Sequence, residues 1–74
     1  MKVLEEIVIK VLPPEASDVV MRMVREDGIE ADVPMSLSDA ELLHTAQAAG
    51  NRLRVVAMDA EANTVTIAVE GSAQ

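Results

Sequence analysis

Not one Phe, Tyr, Trp or Cys occurs among the 74 residues, and that absence constrains the fold more than any other feature. A chain this short buries only about 60–65% of the surface it exposes when unfolded. Without aromatic rings its core must be aliphatic. Val, Ile, Leu and Met supply 26 residues, each worth roughly 1.5–3 kcal/mol when fully buried. That suffices for one compact two-layer domain, with little in reserve, and self-association would add to it. The missing cysteines also remove disulfides, a thiolate nucleophile and any cysteine-based metal site.

Charge narrows the range of partners. Thirteen acids oppose six bases, for a formal net charge of −7. The bases are scattered over Lys2, Lys10, Arg22, Arg25, Arg52 and Arg54. Phosphate binding needs clustered Lys and Arg, and single-strand binders also need aromatic platforms, so no nucleic acid is expected. An anionic membrane surface is disfavoured on the same electrostatic ground. The apolar run of residues 1–12 is broken by Glu5, Glu6 and Lys10 and does not read as a signal peptide. No apolar stretch approaches the roughly 20 residues of a membrane span. A cytoplasmic location is the resulting expectation.

Hydrophobic periodicity predicts the elements. Residues 3–12 alternate, with Val3, Ile7, Ile9 and Val11 on one side, and read as a central strand ended by Pro13 and Pro14. From Pro14 to Asp27 the apolar positions Ala16, Val19, Val20, Met23 and Val24 fit one helical stripe closed by Gly28. Residues 29–35 alternate strictly as a second strand, where Pro34 requires an edge. Ser38 and Glu41 have capping-box spacing, and Leu37 and Leu42 have staple spacing, which predicts a helix start at Ser38. Its buried stripe would be Leu42, Leu43, Ala46 and Ala49, with Gly50 ending it. Residues 53–58 and 64–70 read as a strand pair whose loop lets Asn63 take a positive φ. The predicted fold is α/β, an α+β two-layer sandwich of order β-α-β-α-β-β. Its four-stranded mixed sheet would carry both helices on one face. Residues 1–70 form this single domain, and residues 71–74 read as a disordered C-terminal tail.

Little here carries chemistry. His44, the lone histidine, is predicted to face solvent with only Glu41 nearby, the spacing of a surface ion pair. The acids at Glu26, Asp27, Glu30 and Asp32, and at Asp59 and Glu61, lack the regular ligand spacing of a calcium loop. No metal, cofactor or catalytic residue is therefore expected. Met23 and Met35 read as core, while Met21 and Met58 lie off their patterns as gap-fillers or adaptable surface. The uncovered sheet face is more informative. It would gather Leu4, Val8, Val56, Met58 and Ala68 among Glu6, Lys10, Arg54, Thr64 and Thr66. A contiguous apolar centre of this kind commonly marks a partner-binding or dimer surface, the alternative being a set of individually exposed aliphatics.

Three segments carry a family resemblance: Leu12-Pro13-Pro14-Glu15, Ala31-Asp32-Val33-Pro34 and Gly50-Asn51-Arg52-Leu53. In this order the chain resembles the TusA/SirA-like sulfur carriers. Those have β-α-β-α-β-β topology, a Cys-Pro-x-Pro motif opening the first helix, and a Gly-His-x-Leu-like entry to the third strand. The resemblance implies a carrier scaffold without its thiol, because Leu12 stands where the persulfide-bearing cysteine would be. The expectation is a non-enzymatic protein-interaction domain, with a protein partner or a second copy held by the open sheet face or the edge at residues 29–35. The alternative is a small-ligand or metal-binding regulatory domain. Its anion site would lie at the N-terminus of the first helix, where Glu15 and Asp18 oppose it electrostatically.

Overall fold

The structure is a computed structural model and describes residues 2–71. Among the described residues there is one α-helix, not two. The elements run β1 (Lys2–Lys10), a 3-10 turn (Pro14–Ala16), β2 (Val19–Arg25), β3 (Glu30–Met35), α1 (Leu37–Ala48), β4 (Arg52–Asp59) and β5 (Thr64–Gly71). All five strands join one mixed sheet in the order β1-β5-β4-β2-β3. The four-stranded, two-helix sandwich is thereby overturned.

The error lies at residues 14–27, where one apolar pattern satisfies two periods. Val19, Met21 and Met23 also alternate with Val20, Arg22 and Val24, and the β-branched valines favour the extended chain. Met23 is buried while Arg22 and Val24 are exposed, as a strand requires. A partner decides between the two readings. Glu26-Asp27-Gly28 is a three-residue hairpin loop. Arg25 N–H donates to Ile29 C=O at 2.8 Å, Gly28 N–H donates to Arg25 C=O at 3.0 Å, and Gly28 takes φ +86°. Asp27 Oδ1 accepts from Ile29 N–H at 3.0 Å and rigidifies the loop. This is a type I turn followed by a left-handed residue, a common hairpin connection. The strict alternation of residues 29–35 therefore has its pairing partner in the segment immediately before it. The helix that the sulfur-carrier resemblance places after Pro13 and Pro14 reduces to a single 3-10 turn.

α1 also starts earlier than its predicted cap. Ser36, not Ser38, is the N-cap, its Oγ accepting from Asp39 N–H at 3.2 Å. Asp18 supports the same corner. Its carboxylate accepts from Leu37 N–H at 2.9 Å, and its own N–H donates to Met35 C=O at 3.0 Å. Two of the orphan donors at the helix start are satisfied in this way. α1 docks with Ala40 and Leu43 buried and Ala46 half-buried, while Leu42 and Ala49 of the predicted stripe are exposed. Gly50, at φ +92°, follows the C-cap Ala49, as expected of a terminating glycine.

One helix covers one sheet face and seals an aliphatic core. Ile9, Met23, Val33, Met35, Ala40, Leu43, Val55, Val65 and Ile67 form a single cluster drawn from every strand and α1. The sheet achieves this by coiling. β1 and β3 stand at opposite edges, yet Leu12 N–H, two residues beyond β1, donates to Pro34 C=O of β3 at 3.0 Å. Flat, the five strands would separate these edges by about 19 Å. Twist and stagger bring the two corners together, as in the strand geometry of small barrels. β2 and β4 are joined by a short parallel seam, with only Val24–Arg54 and Arg25–Val55 in register.

The β4–β5 pair forms where it was expected, and Asn63 takes φ 55° in its loop. Gly71 is the last residue of β5, so the predicted tail does not begin there; residues 72–74 lie outside the described residues. β1 is an edge strand that pairs only with β5, not the central strand predicted from its apolar run.

Candidate functional site

The five residues expected to form one apolar patch do not share a surface. Val8 and Ala68 do lie on the uncovered face, since Val8 pairs with Thr66 and Ala68 is flanked in register by Glu6 and Arg54. Ala68, however, is fully buried there. A bulge between Val55 and Ala57 absorbs Val56 and reverses the side-chain alternation of β4. Met58 consequently pairs with Val65 and points to the helix-bearing side, where it is exposed. Leu4 sits in a second bulge between Val3 and Glu5, against Gly71, where an added Cβ would lie 3.5 Å from Leu4 Cδ1. Neither bulge leaves a local mark in the sequence.

Among the described residues, the uncovered face holds one buried charge. Glu70 is 4% exposed and its carboxylate accepts from the Arg54 guanidinium, diagonally across β4 and β5. Arg54 Nε is buried without a hydrogen-bond partner. With Arg54 itself partly exposed, this pair serves to compensate the buried Glu70 carboxylate near the end of β5.

The other candidates resolve into structural roles. Glu30 and Asp32 both pair with Arg22, at 3.6 Å and 3.2 Å, and the Asp32 hydrogen bond chiefly raises the Arg22 pKa above its ordinary value. Asp27 pairs with Arg25 at 3.0 Å, and Asp59 Oδ1 accepts from Glu61 and Ala62 N–H in the β4–β5 loop. Among the described residues, no group of three or more His, Cys, Asp or Glu side chains converges as metal ligands would. The helix terminus proposed for an anion is absent, because the turn at Pro14–Ala16 is three residues long. His44 is exposed and lines a shallow groove of about 290 Å³ with Val19, Met21, Leu37, Ala40 and Glu41. Met21, off a helical stripe, falls in the alternation of β2 with Val19 and Met23 and packs against the core, and no set of polar groups converges in the groove to orient a ligand.

What remains is the backbone at the sheet edges. In an antiparallel ladder, residues alternate between directing both polar groups to the partner strand and directing both away. Val11 N–H donates to Asn63 C=O at 2.7 Å, which sets the odd residues of β1 toward β5. The even residues Glu6, Val8 and Lys10 therefore direct N–H and C=O outward, and the outward bond of Leu12 confirms the parity. Val8 is 63% exposed and Glu6 and Lys10 are exposed beside it, so none of the described residues covers these side chains. The same logic applies to β3: the Arg25–Ile29 bond turns Ala31 and Val33 toward β2 and Glu30, Asp32 and Pro34 outward. There Pro34 has no N–H to offer, and its C=O is already taken by Leu12.

No family model matches the chain, and no curated protein or solved structure matches it either. Among the described residues, no helix is long and apolar enough to cross a membrane.

Proposed function

We propose that this chain is a non-enzymatic, cytoplasmic protein-interaction module that accepts an extended strand along the outer edge of β1. The observation that carries the reading is the row of outward backbone groups at Glu6, Val8 and Lys10, with the exposed Val8 side chain at its centre. Strand addition draws affinity from main-chain hydrogen bonds and specificity from alternate side chains. β1 supplies both over five residues. Apolar side chains are exposed elsewhere too, at Ile29, Leu37, Leu42 and Met58, but Val8 stands on an open strand edge, which strand addition requires.

Val8→Pro tests the proposal. Proline removes an outward N–H but no bond of the β1–β5 ladder, because Val8 does not donate into that ladder. Extended peptides selected by display against the wild-type protein should lose binding to Val8→Pro while its circular dichroism stays native. Peptides that bind both proteins equally, or a selection that enriches none, would overturn the edge as the binding surface.

A further inference from the structure

The identity of the strand that fits β1 can be read from β1 itself. We infer that the occupant is a second copy of this chain, paired antiparallel about a two-fold axis at Val8; the inference rests on the edge reading above. Outward residues can pair only with outward residues, so the allowed registers join even positions to even positions. Centring the pair on Val8 sets Val8 against its symmetry mate, Glu6 against the partner's Lys10, and Lys10 against the partner's Glu6. All three pairs then exchange both of their backbone hydrogen bonds.

The neighbouring registers are worse for definable reasons. A shift by one allowed step in either direction sets Glu6 and Lys10 against Val8, Leu4 or Leu12, which leaves both charges facing neutral side chains. A further step sets Glu6 against Glu6 or Lys10 against Lys10, and like charges directly opposite destabilise a strand pair. Only the Val8-centred register satisfies both charges, and the two-fold axis repeats each favourable contact. Charge complementarity therefore selects the partner and the register together.

The corner at Leu12 and Pro34 limits the length of the seam. Because Leu12 is already bonded to β3, the partner strand must end beside Lys10, and the bulge at Leu4 limits the other end by symmetry. The joint runs from Glu6 to Lys10 in each copy and fuses two five-stranded sheets into one.

Sedimentation velocity over a concentration series tests this directly. The wild type should form a reversible dimer. Glu6→Lys and Lys10→Glu each replace two opposite-charge contacts by two like-charge ones and should weaken the dimer about tenfold or more. The double exchange Glu6→Lys/Lys10→Glu should restore it, and an equimolar mixture of the two single variants should form a heterodimer stronger than either homodimer. These side chains are exposed, so all variants should retain the wild-type circular dichroism spectrum. A wild type that remains monomeric at every concentration would overturn the second copy as occupant. So would a dimer indifferent to the single exchanges, or one that the double exchange fails to recover. If such a monomer still bound display-selected strands in a Val8-dependent manner, the edge reading would stand and only the self-pairing would fall.

Discussion

β1 and β3 both close the sheet with backbone groups that no strand takes up, but their side chains treat that exposure in opposite ways. On β3 the outward positions are Glu30, Asp32 and Pro34. Two carry negative charge, the third has no N–H, and its C=O is occupied by Leu12. A second β3 laid alongside would meet acids with acids. On β1 the outward positions are Glu6, Val8 and Lys10, a sequence of charges that reads as its own complement when reversed. Natural sheets protect their edges with charge, proline and bulges. Here β3 carries the charge and the proline, whereas β1 carries a bulge at Leu4 and, beyond it, an alternation of opposite charges around an exposed Val8. The difference teaches that two edges of one sheet can both expose backbone and differ in the charge they present.

The comparison can be broken first at the core. Ile9 anchors β1 and Met35 anchors β3, and both side chains are essentially without exposure. Ile9→Ala and Met35→Ala should each cost about 2–5 kcal/mol in urea denaturation. Similar losses would show that the two edges are held equally firmly and differ only in their outward chemistry. A Met35 loss well below the Ile9 loss would instead make β3 the looser edge.

A smaller effect is expected at the corner where β3 enters α1. Ser36→Ala removes the side-chain cap on Asp39 N–H and should cost about 1 kcal/mol by the same measurement. Hydrogen exchange should rise in the first turn of α1 and leave β1 unchanged. Exchange that rises equally in β1 would mean that the Leu12–Pro34 contact couples the edges more tightly than the short β2–β4 seam suggests.

The smallest effect sharpens the contrast itself. Asp32→Thr/Pro34→Val removes one like charge and restores one outward donor on β3. Self-association through that edge should strengthen by a few-fold, about what a single cross-strand pair contributes. Light scattering would detect it as assemblies larger than a dimer. No change at high concentration would mean that the Leu12 contact alone is enough to close β3.

The sequence by itself determined the local, short-range features. Chain composition dictated an aliphatic core, and Ile9, Met23, Val33, Met35 and Leu43 are all in it. The alternation of residues 29–35, the edge required by Pro34, the left-handed Asn63 and the terminating Gly50 follow from backbone preferences that act within a few residues. Residues 14–27 did not yield, because the stripe Ala16, Val19, Val20, Met23 and Val24 fits a helix while Val19, Met21 and Met23 alternate as a strand, and pairing with β3 favours the strand. That partner was signalled locally by Asp27-Gly28 next to a strictly alternating segment, and the turn outranks the stripe. Of the expected patch, Val8 alone stands in the candidate site, on the uncovered face. Ala68 lies buried on the same face, and bulges at Leu4 and Val56 redirected Leu4, Val56 and Met58; a bulge is a register event between two strands that neither strand encodes alone. Tertiary structure decided which backbone groups point out of the sheet, because that parity is set by long-range pairing with Asn63 and Pro34. The chain wrote Glu6, Val8 and Lys10 in a self-complementary order, and the fold placed that order on an open edge.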